Sequence, residues 1–249
     1  MPLRRFLAAL GLCLASSAAA LSQEAVDLEL VLLADATGSI DQAEIEFQRE
    51  GYAVAITDPS VVHAMTSGPL GRIAVVYVEW ADAASQQVVA DWTIIDSPEA
   101  AAGFAGALLG PPRLAYGRNA IGAALLFGKG LIEGNALEGT RRVIDLSADS
   151  ANNWGGPSIA EARAQVLAAG ISINGLAVLC RSCSGRPVSY DLEAAFAEQI
   201  IGGPASFVVT ADDAASFAGA VRRKLLLEVS GRVPEREIRR AALGGRRGG

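Results

Sequence analysis

The sequence has very few of the side chains on which many hydrolases and zinc enzymes depend. Its 249 residues include one histidine, His63, and three cysteines. A Ser-His-Asp hydrolase would have to use His63, and the chain has no Gly-x-Ser-x-Gly turn to present a nucleophile. One histidine and so few thiols also make a poor ligand set for tetrahedral zinc. These shortages argue against both classes of enzyme.

Excess basic charge and long internal apolar runs are also missing. The formal net charge is -6, whereas nucleic-acid-binding proteins usually carry a basic face. Beyond the first twenty residues, no apolar run is long enough to cross a bilayer. Hydrophobic residues nevertheless make up 51% of the chain and charged residues 19%, which is enough for a sizeable core. We therefore expect one domain, residues 25–230, that neither binds nucleic acid nor spans a membrane.

Residues 1–20 have the pattern of an export signal. "MPLRR" is short and basic, "FLAALGLCLA" is apolar, and "SSAAA" supplies small residues for cleavage. We expect this segment to be removed and the mature protein to be soluble in the periplasm or outside the cell. In that oxidising compartment, Cys180 and Cys183 of "CRSC" are expected to form a structural disulfide.

Strand-like and helix-like segments alternate through residues 25–230. "DLELVLLA" is nearly all apolar, as in a parallel strand that is covered on both faces. "GRIAVVYVEWA" and "QQVVADWTII" are separated by a short turn and predict an antiparallel hairpin. The alternation predicts an α/β fold with a doubly wound, mostly parallel sheet, one antiparallel edge strand and helices on both faces. Residues 231–249 are basic and Gly-rich, and we expect them to be disordered.

Oxygen-bearing side chains follow the predicted strands at the edge where such sheets bind ligands. Asp35, Thr37 and Ser39 come after the first strand, Asp149 follows "VIDLSA", and Asn119 precedes a helix in "YGRNAIG". Carboxylates together with neutral oxygens are typical ligands of a hard cation such as Mg²⁺. The pattern therefore predicts a divalent-cation site.

The same residues are open to other interpretations. Asp, Thr and Ser are also common in helix caps and turns, and Asp41 with Glu44 has the pattern of a capping box. The spacing from Asp35 to Glu46 resembles an EF-hand loop, but Ile40 stands where that loop needs glycine. "GAALLFGKG" has the wrong spacing for a phosphate-binding loop. A capping role and a cation-binding role both stay open on the residues alone.

Three of these segments resemble the metal-binding motifs of von Willebrand factor type A (VWA) domains. "DATGS" resembles their Asp-x-Ser-x-Ser motif, with Thr37 in place of the first serine. "GRNAIGAAL" resembles their Gly-x-Thr-x-x-Gly turn, with Asn119 in place of threonine. "SADS" places Asp149 at the position of their last aspartate, with Ser150 instead of glycine. The resemblance covers nearly the whole mature domain and points to a secreted, uncharacterised bacterial branch of the superfamily.

This resemblance implies a metal-ion-dependent adhesion site, abbreviated MIDAS. Thr37, Ser39 and Asn119 would hold Mg²⁺, or Mn²⁺ or Ca²⁺, with Asp35 and Asp149 nearby or acting through water. The cation would accept an acidic side chain of a protein partner, so the chain is expected to be a binding module and not an enzyme. Two alternatives are a metal-dependent hydrolase that uses the same crevice and a structural domain whose metal site is degenerate at Asn119.

The segment "NNWGGP" follows Asp149 directly. Trp154 would either anchor this loop or stand on the rim of the cation site, where Asn152 and Asn153 would also contact a partner. Trp80 and Trp92 lie in the predicted hairpin, and we expect them to pack against the sheet.

Overall fold

The computed structural model describes residues 23–179, 190–212 and 214–231. Within these residues one sheet has the strand order β3-β2-β1-β4-β5-β6. Only the β2–β3 pair is antiparallel among the paired strands described. The prediction of a mostly parallel sheet with an antiparallel edge strand is confirmed. The strands are β1 Glu24–Asp35, β2 Ile73–Trp80, β3 Gln86–Ile95, β4 Leu137–Ala148, β5 Ser172–Val178 and β6 Val208–Ala211.

Helices cover both faces of the sheet, as predicted. Buried side chains of α1, α2, α3 and α7 pack on one face, and those of α4, α5 and α6 pack on the other. A π-helical turn, Phe196–Ile200, continues α6. The helices are α1 Gln42–Ile56, α2 Pro59–Met65, α3 Pro98–Leu109, α4 Ile121–Glu133, α5 Ile159–Ala168, α6 Leu192–Ala195 and α7 Ala214–Ser230.

Strand β1 lies in the middle of the sheet because both of its faces are apolar. Leu30 and Leu32 belong to one core cluster, Val31 and Leu33 belong to the other, and all four are 0% exposed. Each such side chain contributes roughly 1.5 to 3 kcal/mol by leaving water. The chain continues from β1 to β2 on one side and later returns to β4 on the other. The carboxyl end of β1 is thus the point where the strand order reverses, which is where ligands bind in such sheets.

The predicted capping box at the start of α1 is confirmed. Asp41 accepts a hydrogen bond from the backbone N–H of Glu44, and the Glu44 carboxylate accepts one from the N–H of Asp41. The residue that caps α1 is therefore Asp41, and Asp35, Thr37 and Ser39 lie before it. A helix-capping role does not account for those three side chains.

Other elements differ in detail from the sequence-based expectation. Helix α2 was not predicted, although Asp58 caps it and Pro59 is its first residue. Strand β4 begins at Leu137, several residues before the segment "VIDLSA", because its first residues pair with the start of β1. Val54, an apolar residue of α1, is 63% exposed. Trp80 and Trp92 pack against the sheet as predicted.

Several predictions concern residues outside the described part of the chain. The export signal at 1–20, the Cys180–Cys183 disulfide and the basic segment beyond Gly231 all lie there, so these stay predictions. Among the helices of the described residues, none has both the length and the apolar character needed to cross a membrane.

Candidate metal site

The loop after β1 brings three oxygen-bearing side chains together. Asp35 is the last residue of β1, and both Asp35 and Thr37 are buried, whereas Ser39 is exposed. The Thr37 N–H donates to Asp35 Oδ1 at 2.8 Å. The hydroxyl oxygens of Thr37 and Ser39 lie 3.1 Å apart and share a hydrogen bond. The predicted cluster in "DATGS" is therefore present as a compact unit.

Asp149 approaches this unit from the end of β4, the neighbouring strand. Burial raises the pKa of Asp149, and a hydrogen bond with the Ser39 hydroxyl acts in the opposite direction. Burial, and after it the nearby Asp149 carboxylate, raises the pKa of Asp35 from 3.8 to about 7. The two carboxylates that are distant in sequence thus meet at the carboxyl end of β1 and β4.

Asn119 reaches the same place through the loop before α4. Its side-chain Nδ2 donates to Ser150 Oγ at 3.1 Å. Its backbone carbonyl oxygen accepts a hydrogen bond from Trp154 N at 2.7 Å. Asn119 is the position that departs in kind from the VWA pattern, and the structure shows that it contacts Ser150, which stands where that pattern has glycine. The hydrogen bond to Ser150 uses the side-chain nitrogen of Asn119, so the side-chain oxygen is the atom that can bind a cation.

The Arg113 side chain stabilises the loop after β1 through hydrogen bonds. The sequence did not predict this role. Its guanidinium group donates to the carbonyl oxygens of Ala36 at 2.6 Å, Thr37 at 3.1 Å and Ile40 at 2.7 Å. Arg113 lies in the same irregular segment as Asn119, between α3 and α4. It therefore holds the Asn119 loop against the loop that carries Thr37 and Ser39.

Gly117 makes a second contact between these loops. Its carbonyl oxygen accepts a hydrogen bond from Gly38 N at 2.8 Å. Its φ of +128° lies in a region that side chains rarely adopt, and an added Cβ would lie 2.6 Å from the Asp82 Cβ atom. Only glycine allows the loop to pass this close to the end of β2.

The side chains present fit a hard divalent cation. Asp35 Oδ2 is buried and has no hydrogen-bond partner among the described residues. An ionised carboxylate in that position is costly, and a second carboxylate beside it adds to the cost. A divalent cation would relieve both costs, and carboxylate, hydroxyl and amide oxygens are ligands it accepts.

The carboxylates of this cluster would not be sufficient by themselves. Within the part of the chain that the structure describes, no group of three or more Asp, Glu, His or Cys side chains could hold a metal ion. A cation here would therefore depend on the hydroxyl oxygens of Thr37 and Ser39 and on the amide oxygen of Asn119.

Three exposed aromatic residues lie on, or form hydrogen bonds with, the loops near the cluster. Trp154 is 60% exposed, and the Arg118 guanidinium carbon lies 4.6 Å from the centre of its ring. Tyr116 is 58% exposed and has Arg113 at 4.7 Å from its ring centre. Tyr190 is exposed as well, and its hydroxyl accepts a hydrogen bond from Ala151 N at 2.9 Å. The side chain of Trp154 is thus mostly exposed and is not a buried anchor.

Asn152 and Asn153 differ from each other. Asn152 is exposed. Asn153 uses both ends of its amide inside the protein: Oδ1 accepts from Gly122 N at 3.0 Å, and Nδ2 donates to Pro157 O at 3.0 Å. These bonds join the loop after β4 to the start of α4, so the Asn153 side chain holds that loop in place.

One family model covers most of the chain. The model described as "Protein of unknown function (DUF1194)" matches residues 25–233. No curated protein matches the sequence.

Solved structures similar to the chain share its fold. A form of proximal thread matrix protein 1 from the mussel byssus "with zinc occupied MIDAS motif" has a TM-score of 0.59, 14% identity, and coverage of 84% of this chain and 49% of that one. The pilus adhesin SpaC from Lactobacillus rhamnosus GG has a TM-score of 0.58, 12% identity, and coverage of 84% and 32%. An aerotolerance-related membrane protein from Bacteroides fragilis has a TM-score of 0.51, 19% identity, and coverage of 80% and 98%.

These likenesses establish the fold. The neighbours are VWA-type domains, so the resemblance inferred from the motifs is confirmed at the level of the fold. The chain spans about a third of SpaC and about half of the mussel protein.

Proposed function

The chain belongs to the DUF1194 family and has a VWA-type fold, and from this we infer that it is an exported binding module that grips a carboxylate of a protein partner through a divalent cation. One observation carries the inference. A buried carboxylate, Asp35, has an unpartnered oxygen and a second carboxylate, Asp149, beside it at the switch point of the sheet. That arrangement is unfavourable without a cation and favourable with one.

Five side chains would form the cation site. Thr37, Ser39 and Asn119 would provide neutral oxygens, and Asp35 and Asp149 would act nearby or through water. A divalent cation would supply an electrophilic centre that attracts a carboxylate oxygen from outside. Two carboxylates balance the charge of the cation without exceeding it, so a further acidic ligand is not repelled by excess negative charge. Mg²⁺ is the ion proposed, with Mn²⁺ and Ca²⁺ as alternatives.

The rim would provide the rest of the contact with the partner. Trp154 and Asn152 are exposed next to the cluster. Trp, Tyr and Arg side chains dominate the energetics of protein interfaces, and Trp154 has Arg118 stacked on it. We therefore assign Trp154 and Arg118 to the binding surface, and we expect the partner to present an acidic residue beside an apolar one.

Catalysis is not part of this proposal. The carboxylates of the cluster would be committed to the cation, and no further general base stands among the five proposed ligands. A metal-dependent hydrolase in the same crevice and a structural domain without a bound metal are the competing functions. The periplasm or the outside of the cell is the proposed location, because residues 1–20 have the pattern of an export signal.

Calorimetric titration of Mg²⁺, Mn²⁺ and Ca²⁺ into the purified protein tests the proposal. We expect binding in the millimolar range or tighter, lost in Asp35→Ala and strongly weakened in Thr37→Val. Asp96→Ala, which removes an exposed aspartate elsewhere, is the matched control and should bind like the wild type.

The outcomes separate the three functions. If no cation binds at millimolar concentration to the wild type, the adhesion-type function is wrong. If Asn119→Thr then gains binding, the site is a degenerate one. Hydrolysis of generic phosphate or ester substrates that disappears in Asp35→Ala would favour the hydrolase.

A further inference from the structure

Two charged side chains near the end of α7 are buried in the protein. Lys224 and Glu228 lie about one helical turn apart, and each is 1% exposed. Lysine and glutamate are almost never buried to this extent unless their charges are paired. The way in which these two charges are balanced therefore decides whether the last turns of α7 can pack on the sheet.

Lys224 and Glu228 join α7 to two strands of the sheet. Lys224 Nζ lies 2.6 Å from Asp145 Oδ1 of β4 and 2.5 Å from Glu228 Oε1. Glu228 Oε1 also accepts a hydrogen bond from Asn174 Nδ2 of β5 at 3.3 Å. Asp145 is 1% exposed and Asn174 is 3% exposed, so these contacts are shielded from solvent. Asp145, Lys224 and Glu228 are called the charged trio below.

The charged trio contains two carboxyl groups and only one ammonium group. Asp145 and Glu228 also form a hydrogen bond with each other. An ionised carboxylate can only accept hydrogen bonds, so two carboxyl groups bond to each other only when one of them carries a proton. No donor among the described residues reaches Glu228 Oε2, so this oxygen is available to hold the shared proton.

The shared proton makes the charged trio electrically neutral. Without the proton the trio would carry one excess negative charge away from water, which is strongly unfavourable. Burial, followed by the Asp145 carboxylate, raises the pKa of Glu228 to about 7. Burial raises the pKa of Asp145 as well. The proton is therefore held at acidic pH and lost as the pH rises through about 7.

The other titratable groups that face the charged trio keep their charge state near neutral pH. Burial, followed by the Asp145 carboxylate, raises the pKa of Tyr52 of α1 well above its ordinary value, so this side chain stays neutral. Burial also raises the pKa of Tyr77 of β2, which faces Tyr52. Burial lowers the pKa of Arg141 of β4, but an arginine stays charged in a protein. The carboxyl pair is therefore the group whose charge changes.

The effect of this charge is concentrated at the end of α7. Arg141 donates to the backbone carbonyl oxygens of Glu228 and Val229, each at 2.6 Å, so it holds the last turn of the helix. Helix ends open at a lower free-energy cost than the core of a domain. Earlier in α7, Phe217 and Val221 pack in an apolar core cluster. The loss of the proton therefore acts on the last turns and not on the start of the helix.

We propose that the end of α7 is a pH-sensitive latch, which is closed by the proton that Asp145 and Glu228 share. While the proton is held, the charged trio is neutral and residues 224–230 stay docked on β4 and β5. When the proton is lost, the excess negative charge drives Glu228 toward water, and these residues undock. None of the residues proposed for the metal site belongs to the charged trio, so the latch does not depend on a bound cation.

Hydrogen–deuterium exchange of the purified protein at pH 5 and pH 8, corrected for the intrinsic exchange rates, tests the latch. An unperturbed glutamate has a pKa of 4.5, and the docked Glu228 has a pKa of about 7. From this difference we expect the protection of residues 224–230 to fall by up to about seventyfold between the two pH values. Peptides from β1 should lose less protection, because the latch opens only the end of α7.

Two variants keep the shape of the charged trio and remove the shared proton. Glu228→Gln and Asp145→Asn each leave one carboxylate for Lys224 and supply an amide N–H in place of the proton. In either variant the protection of residues 224–230 should no longer fall with pH, and the second variant serves if the first does not fold. Glu50→Gln, at an exposed position on α1, is the matched control and should behave like the wild type.

Three results would overturn the latch. The first is protection of residues 224–230 that does not change with pH in the wild type. The second is a pH dependence that persists in both Glu228→Gln and Asp145→Asn. The third is an equal loss of protection in β1, which would show that the whole domain, and not the end of α7, responds to pH.

Discussion

The raised pKa of the buried Asp35 carboxylate predicts how the stability of the metal-free protein depends on pH. Asp35 has a pKa of about 7 in the folded chain, whereas an unperturbed aspartate has a pKa of 3.8. The folded state therefore binds more protons than the unfolded state between these values. The stabilisation that comes from the raised pKa is fully present below pH 3.8 and is lost as pH rises through about 7.

The magnitude follows from the difference between the two pKa values. One pKa unit corresponds to 1.36 kcal/mol, so a difference of about three units corresponds to about 4 kcal/mol, as an upper bound. The Asp35→Asn variant removes this dependence and relieves Asp149 of a neighbouring charge. We expect the free energy of unfolding of the wild type in EDTA to fall by up to about 4 kcal/mol more than that of the variant between pH 4 and pH 8.

Urea unfolding at several pH values, followed by tryptophan fluorescence, measures this difference. Glu228 also has a pKa raised to about 7, so only the comparison of wild type with Asp35→Asn isolates the metal site. Mg²⁺ at a hundred times its dissociation constant should add about 2.7 kcal/mol to the wild type at pH 8 and nothing to the variant. Parallel pH profiles in EDTA would refute the reasoning, because they would show that Asp35 is not destabilised by its surroundings.

Three further substitutions are expected to have different effects on stability and on Mg²⁺ binding. Gly122→Ala would place a Cβ atom 2.2 Å from Pro157 O, so it should cost on the order of 3 kcal/mol in a urea unfolding experiment. Arg113→Gln leaves the carbonyl oxygens of the loop after β1 without their donors, so it should cost about 2 to 4 kcal/mol and weaken Mg²⁺ binding in calorimetry. Trp154→Ala, at a 60% exposed position, should change stability by less than about 0.5 kcal/mol and leave Mg²⁺ binding intact. A stable Arg113→Gln or a destabilised Trp154→Ala would contradict these assignments.

Much of the fold was predictable because its signals are local. The apolar run of β1 reports burial on both faces, and the short turn between β2 and β3 reports a hairpin. Ser97 followed by Pro98 marks the start of α3, and the structure places the helix there. Each of these patterns is contained in a dozen residues or fewer, so no knowledge of distant contacts was needed.

Helix α2 and the start of β4 could not be predicted from the sequence. The start of β4 depends on distant contacts, and α2 is too short to show a repeating pattern of apolar residues. Helix α2 has seven residues, fewer than two full turns of an amphipathic pattern. The first residues of β4 alternate between half-buried and exposed, and they are a strand because the start of β1 pairs with them. Their own composition does not indicate it.

The residues of the candidate site also differ in whether local sequence or distant contacts reveal their role. Asp35, Thr37 and Ser39 are neighbours in sequence, and their common role could be inferred from spacing. The contact of Arg113 with this loop could not, since its partners are backbone carbonyls 73 and 77 residues away. A carbonyl oxygen is present in every residue, so no side-chain pattern identifies which one a distant arginine will bind.

Asn119 shows why a departure from a motif has to be judged together with its neighbours. A threonine at this position would offer a short hydroxyl, whereas an asparagine amide is longer and can rotate to present nitrogen in place of oxygen. Ser150, which replaces the glycine of the motif, accepts a hydrogen bond from the Asn119 nitrogen. That bond fixes which end of the amide is occupied, so Ser150 helps to keep the oxygen available. The replacements at Asn119 and Ser150 are therefore physically coupled, and Ser150→Gly should weaken cation binding in the wild type but not in Asn119→Thr.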